Sequence, residues 1–484
     1  SSAALGIEIE GSVKADYSRI AAHKDEVVKT LTSGVAYKMK QHGVTVVPAS
    51  ARLEGQEGEL IRVATDTETY LVRYVLLATG SETVIPPIPG LDGVSYWTSR
   101  EALAATELPK DIAIIGGGVI GMEFADVYAS LGVPVTVIEM APEILGAMDK
   151  ETSATLRKLF KKRGVKFHLE SKVVEVSPEG VTIETKKGER ELIAASQILL
   201  SVGRRPLSAG LGLERLAIQQ NRAAVVVNEY MQTSHPQVYA VGDLTGFSLL
   251  AHTAIREGEV AVEHIVSGAG HPMRYDAIPG VVYTHPELAG VGATEEQLQA
   301  EGRYYRALKL PMAYAGRYVV EQGQAPGLCK VLVDENDRIL GCHILGTPAS
   351  ELILLAGIAI ADGTSVEDFR RHVFASYRRG DPARSAALLG RGLRPLHSSK
   401  QHTQDNRTKL CLHSTSRSPR LGRASPSVPS PSSMPRSGTS SRRMTNSLRS
   451  PRQRPLPPSP RPWQGRSCRS IIRRARRSPW GRCS

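Results

Sequence analysis

The sequence predicts an α/β protein whose core is a doubly wound parallel sheet, followed by an α+β domain and a disordered basic tail. Three observations carry this. Apolar, β-branched runs alternate with amphipathic helical stretches up to about residue 271, the order that builds parallel strands with crossover helices. From about Pro272 the text changes to longer alternating strands, "YYRALKLPM" and "GLCKVLVDENDRILGCHILG", and then an apolar helix from Glu351 to Ala361. Charge divides the chain as well. Residues 377–484 hold 25 of the 61 Lys/Arg and 2 of the 48 Asp/Glu, a net of +23, which leaves 36 basic against 46 acidic groups in the first 376 residues.

Taken in order, residues 16–42 predict a helix with Ile20, Val27, Leu31 and Val35 on one stripe, ended by Gly43. Strands are expected at Val44 to Val47, Leu60 to Ala64 and Tyr70 to Leu77, the last running into Thr79-Gly80-Ser81. Then comes "AIIGGGVIGMEFADVYASLGVPVTVIEM". Ile112 to Ile115 form a strand, and Gly116-Gly117-Gly118-Val119-Ile120-Gly121 supply a G-x-G-x-x-G turn. In such a turn the first glycine permits the tight bend, the second lets backbone approach a pyrophosphate, and the third lets the helix pack closely on its strand. The helix carries Ile120, Phe124, Val127 and Leu131 on one face, Gly132 ends it, and Val133 to Ile138 form the next strand. Glu139 follows, eighteen residues after Gly121, where a carboxylate accepts ribose hydroxyls. A phosphorylated ribose would meet its charge, so the pattern points to NAD rather than NADP. A helix from Glu151 to Arg163, a strand from Val165 to Leu169, a hairpin about "KKGER" and a buried strand from Gln197 to Val202 complete the unit.

Composition excludes several classes. No stretch approaches the roughly 18 to 20 apolar residues of a membrane span, and "SSAALGIEIEGSVKADYSRI" lacks the basic and apolar regions of a secretory signal. The expectation is a soluble, cytoplasmic protein without membrane contact. Cysteines stand at 329, 342, 411, 468 and 483, with no CxxC or CxxxxC spacing and no metal-ligand cluster. Cys329 and Cys342 fall in strand-like text and read as small buried residues. The tail holds 14 of the 30 prolines, as in "SPSVPSPSSMPRSG", and such composition predicts disorder rather than nucleic-acid binding.

Together with "GGGVIGMEFA", the blocks "VLLATGSETVIPPIPG", "SVGRRP", "VYAVGDLTG" with "LLAHTAIREGE", and "VVYTHPELAGVGATEEQL" resemble, in order, the pyridine nucleotide-disulfide oxidoreductases. The likeness is greatest to the group that oxidises dihydrolipoamide, and it runs to about Ala375. The resemblance implies FAD and NAD as cofactors, Rossmann-like FAD- and NAD-binding domains, and a C-terminal interface domain forming a homodimer. It divides the chain into an FAD-domain portion at 1–109, an NAD domain at 110–204, a returning FAD segment at 205–271, an interface domain at 272–376 and the tail at 377–484. By the same resemblance, Thr79, Gly80 and Ser81 lie against FAD. Asp243, after Gly242, binds its ribityl and phosphate region, and Leu249, Leu250, Ala251 and His252 face the isoalloxazine. Gly203 approaches the nicotinamide nucleotide, and Val119, Ile120 and Glu123 join the glycines and Glu139 as cofactor contacts.

The resemblance also implies parts this sequence does not show. The family's FAD-binding G-x-G-x-x-G and redox-active Cys-x-x-x-x-Cys stand upstream of text matching "ALGIEIEGSVKADYSRI". Its His-Glu dyad stands where this chain has Ser376, Tyr377 and Arg378. Ala49 and Ala51 replace glycines of an FAD-contacting loop. Codons permitted for Ser376 to Ser385, read one base later, spell His-Thr-Val-Gly-Glu-Ile-Leu-Arg-Glu-Ala, which suggests a shifted frame near Ala375. The implied function is FAD- and NAD-dependent oxidation of dihydrolipoamide on the lipoyl domains of 2-oxo acid dehydrogenase complexes. No catalytic residue is assigned, and little lipoamide turnover is expected. Two alternatives stand beside it: a non-catalytic NAD-binding dimer, and a disulfide-less flavin-dependent nicotinamide nucleotide transhydrogenase.

Overall fold

The computed structural model describes residue 6, residues 9–323 and residues 325–373. The expected disorder of the tail, the frame change near Ala375, residues 376–378 and Cys411, Cys468 and Cys483 lie outside the described residues. In chain order the elements are α1 (Tyr17–Gln41), an antiparallel sheet of β1 (Arg52–Glu57), β2 (Leu60–Ala64) and β3 (Thr69–Val72), then β4 (Val75–Leu77), β5 (Ser81–Thr83) and α2 (Ser99–Ala104). Next come β6 (Ile112–Ile115), α3 (Val119–Ser130), β7 (Val135–Ile138), α4 (Lys150–Lys162) and β8 (Lys166–His168). An antiparallel set, β9 (Ser171–Ser177), β10 (Gly180–Thr185) and β11 (Arg190–Ala194), precedes β12 (Gln197–Leu200) and β13 (Arg204–Pro206). After the short pair β14 (Gln220–Asn221) and β15 (Ala224–Val225) stand β16 (Val238–Ala240) and α5 (Ala251–Ser267).

The centre is a four-stranded parallel sheet in the order β12-β6-β7-β8. All four residues of β6 are buried because its alternating side chains meet cover on both faces. Ile112 and Ile114 pack with Met122, Ala125 and Tyr128 of α3 and with Leu156 and Phe160 of α4. Ala113 and Ile115 pack with Val176, Val181 and Ile183 of the antiparallel β9–β11 sheet, so the second face is covered by strands rather than by a further layer of helices. The buried residues of α3 are Gly121, Met122, Ala125, Asp126 and Tyr128. The stripe expected from spacing is offset from them, and Val127 is exposed. Gly121 and Ala125 are the small residues that admit close helix-to-strand approach, and a pattern that counts only large apolar residues passes over them.

Residues 278 onward form the antiparallel sheet β17 (Gly280–Val282), β18 (Leu288–Gly292), β19 (Arg306–Pro311), β20 (Leu328–Val333) and β21 (Ile339–Leu345), in the order β17-β18-β21-β20-β19. Helices α6 (Glu295–Ala300), α7 (Gly316–Gln322), α8 (Ala349–Ala361) and α9 (Val366–Arg370) accompany it. Ile353, Ala356 and Ala359 of α8 pack on Val291, Val331 and Ile344, whereas Leu354 and Ile358 are exposed. Cys329 and Cys342 are buried here, as expected. Fully buried Lys330 joins this sheet to α4. Its Nζ donates to Asp149 Oδ2 at 2.7 Å, lies 2.9 Å from Glu151 Oε2 and also bonds Glu295.

Three further expectations are corrected. Val44 to Val47 is not a strand, while Arg52–Glu57, unexpected from the sequence, is one. The run from Tyr70 to Leu77 breaks between β3 and β4, because β3 pairs with β2 and β4 pairs in parallel with β16. On α1 only Ala21 is buried, and Ile20, Val27, Leu31 and Val35 are exposed. No helix among the described residues is long and apolar enough to cross a membrane.

Candidate functional site: the glycine turn and the turn beside Asp243

Both candidate sites stand at the carboxyl ends of parallel strands, where the backbone fans apart and leaves a crevice. At the end of β6, Gly116 takes φ of 108°, and a Cβ there would stand 2.4 Å from the carbonyl oxygen of Ser201. Gly121 is tighter still: its Cβ would lie 2.1 Å from the Gly116 oxygen and 3.2 Å from Ile114 Cγ2. Gly118 is the opposite case. It caps the N-terminus of α3 without a side-chain hydrogen bond, and no atom lies within 4 Å of the place a Cβ would take. The three glycines thus divide as the spacing implied, into bend, open backbone and close packing.

At the end of β7, Glu139 accepts from the N–H of Gly117 at 2.6 Å and from that of Ala141 at 2.7 Å. This fixes the carboxylate beside the glycine turn. Gly116, Gly118, Val119, Ile120 and Glu139 line a cleft of about 1470 Å³, and Gly203, Leu249 and Leu250 line its further walls. Gly117 and Gly121 build the turn from behind. Glu123 points elsewhere: its carboxylate accepts from the N–H of Tyr283 at 2.9 Å, and burial raises its pKa.

The second cluster forms where β4 and β16 end. Thr79 Oγ1 donates to the Leu207 carbonyl at 2.7 Å, and the Leu207 N–H donates to Gly80 at 3.0 Å. Gly80 has φ of 74° with open space at its Cβ position. Ser81 Oγ donates to Asp243 Oδ2 at 2.5 Å. Arg204 binds Ser81 twice, Nε to Oγ at 2.7 Å and Nη2 to the carbonyl oxygen at 2.6 Å, and its Nε stands 3.9 Å from Asp243 Oδ2. Gly242, with φ of 71°, donates its N–H to Glu257 Oε2 at 2.5 Å. Leu250 is the N-cap of α5, and Ala251 and His252 are its first residues. His252 Nε2 lies 2.9 Å from the Pro279 carbonyl oxygen, which only accepts, so the hydrogen bond requires the proton on Nε2.

The two clusters meet at Arg204, which lines the cleft while holding Ser81. Sequence reasoning missed it although "SVGRRP" was in view. Only the structure shows the contact with Ser81, 123 residues away, and the φ of 120° at neighbouring Gly203. Tyr275, which also lines the cleft, and buried Glu257 gave no sequence signal. The residues fit a dinucleotide at the first cluster, where open backbone at Gly118 and an aimed carboxylate adjoin a free helix N-terminus. At the second, an acid held by a hydroxyl and a guanidinium beside an open glycine fits hydroxyl and phosphate groups. Among the described residues there is one G-x-G-x-x-G turn.

The family model for pyridine nucleotide-disulphide oxidoreductases matches residues 3–258, and that family's dimerisation domain matches residues 278–377. The chain belongs to the pyridine nucleotide-disulphide oxidoreductase family. It is 40% identical over 375 residues to a dihydrolipoyl dehydrogenase of Thermus scotoductus, covering 75% of this chain and 79% of that one. It is 36% identical over 383 residues to the mitochondrial dihydrolipoyl dehydrogenase of Schizosaccharomyces pombe, covering 76% and 73%. Among solved structures, LpdA from Mycobacterium tuberculosis gives a TM-score of 0.71 at 26% identity, covering 78% of this chain and 84% of that chain. The HOCl-induced flavoprotein disulfide reductase RclA from Escherichia coli gives 0.70 at 26%, covering 78% and 87%. Dihydrolipoyl dehydrogenases use FAD and NAD, so the chain is by family an oxidoreductase, and its dimerisation domain supports a homodimer.

Proposed function

We propose that the cleft binds NAD(H), with the pyrophosphate on the α3 N-terminus at Gly118 and the adenosine ribose on Glu139. The observation that carries this reading is the 2.6 Å bond from Gly117 to Glu139, which holds a carboxylate at the mouth of the glycine turn. The flavin reading places Asp243, Ser81 and Gly80 against the ribityl and phosphate region, with Leu249 and Leu250 toward the ring. Leu249 is exposed in the cleft wall, so the apolar surface a ring needs is already there. When bound, FAD relays electrons between a dithiol and NAD. The family-level reaction is oxidation of dihydrolipoamide, on lipoyl domains of 2-oxo acid dehydrogenase complexes, by a homodimer.

Within that reading, this chain's own residues orient and bind. None of its five cysteines has a partner at Cys-x-x-x-x-Cys spacing, and attack on a disulfide requires a thiolate that can pass to a neighbouring sulfur. The 484-residue polypeptide is therefore expected to bind NADH and to give no lipoamide-dependent NADH oxidation. A fluorescence titration with NADH tests the first part: saturable binding weakened by Glu139→Ala supports it, and no saturation in the unaltered chain overturns it. Measurable lipoamide turnover would overturn the second.

A further inference from the structure

We propose that Glu257 is a positioning residue, which from the buried face of α5 fixes the Gly242–Asp243 turn so that Asp243 is presented to the flavin. The inference deepens the flavin reading of that turn and rests on it. Glu257 is wholly buried, and the two partners recorded for its carboxylate among the described residues are both neutral. Burying a carboxyl without a counter-charge is costly unless hydrogen bonds satisfy it. Both of its oxygens are satisfied, and by two different parts of the site. Oε2 takes the N–H of Gly242 at 2.5 Å, and Oε1 takes the hydroxyl of Tyr275 at 2.7 Å.

Gly242 opens a single 3-10 turn, Gly242–Thr245, whose first N–H has no partner within the turn. The preceding N–H, that of Val241, is already bound to Leu77 of β4. Glu257 therefore supplies the next anchor along the backbone, one residue before Asp243. Tyr275 is a wall of the cleft and packs on Phe247, with ring centroids 5.0 Å apart. One carboxyl thus ties the cleft wall to the turn. Burial, with Asp243 close by, pushes the Glu257 carboxyl upward in pKa. A neutral acid serves the geometry as well as an anion: its carbonyl oxygen accepts from Gly242, and its hydroxyl exchanges a hydrogen bond with Tyr275.

The test compares Glu257→Gln, which keeps an acceptor and a donor in the same places, with Glu257→Ala, using the full chain. Amide hydrogen exchange of the segment 238–250 is read against segment 112–139 as an internal standard, and FAD affinity is read by flavin fluorescence. The account expects exchange at 238–250 to rise about tenfold in Glu257→Ala, the scale of one lost buried hydrogen bond. FAD affinity should fall by about the same factor, and Glu257→Gln should restore both. Tyr275→Phe, which keeps the ring and removes one donor, should give an intermediate rise and guards against a misfolded alanine variant. Unchanged exchange in Glu257→Ala, or equal loss in Glu257→Gln, overturns the proposal. No FAD binding by the unaltered chain overturns the flavin reading instead, and the exchange data then still decide whether Glu257 anchors the turn.

Discussion

The two strand-end sites of this molecule are built to different degrees. Around the glycine turn, β6 has a parallel neighbour on each side, α3 and α4 on one face and a three-stranded sheet on the other, and every residue of the strand is buried. At the Asp243 turn, β4 and β16 form a two-stranded pair. Elsewhere, α1 leaves Ile20, Val27, Leu31 and Val35 exposed. The same principle, a crevice beyond parallel strand ends, therefore rests on a four-stranded sheet in one place and on a two-stranded pair in the other. Both turns are packed, the second through buried Leu77, Val238, Ala240 and Leu244. Glycine sterics decide the geometry of the first, and hydrogen bonds with Arg204, Ser81 and Glu257 are added at the second.

The largest expected effect probes what joins the well-built half to the C-terminal sheet. Lys330→Ala leaves Asp149, Glu151 and Glu295 without their shared cation and should cost about 3–5 kcal/mol in chemical unfolding. Despite burial, which pushes them up, the hydrogen bonds from Lys330 and Lys309 hold the Asp149 and Glu151 carboxyls below their usual range. Their folded-state pKa values lie below the unfolded ones, so their contribution is present above the unfolded pKa and lost as pH falls through the folded one. Unfolding in acid, below about pH 4, should accordingly be steeper in the unaltered chain than in Lys330→Ala.

Next in size is the contrast of cores. Ile114→Ala should cost about 2–5 kcal/mol, whereas Leu31→Ala on α1 should stay within about 0.5 kcal/mol. Equal losses would show that α1 is covered in solution and would break the comparison. A subtler effect belongs to Glu257, whose folded-state pKa is raised. Its contribution is full below the unfolded carboxyl pKa and is lost as pH rises through the folded value. Melting temperature should therefore decline more from pH 4 to pH 8 in the unaltered chain than in Glu257→Gln, and parallel curves would count against a neutral acid.

How far the sequence foretold this follows the same division. Ile112–Ile115, Leu60–Ala64 and the G-x-G-x-x-G turn were legible because local spacing marks them, even though Gly116 is crowded by Ser201, 85 residues away. The Ser81, Arg204 and Asp243 cluster was only partly legible. Its members stand 123 and 162 residues from Ser81, and nothing local marks Arg204 or Glu257 as partners. The break within Tyr70 to Leu77 was hidden for the same reason, since each half pairs with a different strand. On α3 the error was of kind rather than range, because the buried face is made by Gly121 and Ala125 as much as by Met122 and Tyr128.

The glycine turn with Glu139 is proposed above as an NAD site. The direct measurement is a pair of titrations of the full chain, NADH against NADPH, repeated on Glu139→Ala. The account predicts saturable NADH binding, NADPH weaker by roughly 10- to 100-fold, and loss of most of that gap in the variant, as a lost charged hydrogen bond and a lost repulsion require. Equal affinity for the two nucleotides in the unaltered chain, or a gap that Glu139→Ala leaves intact, would contradict it.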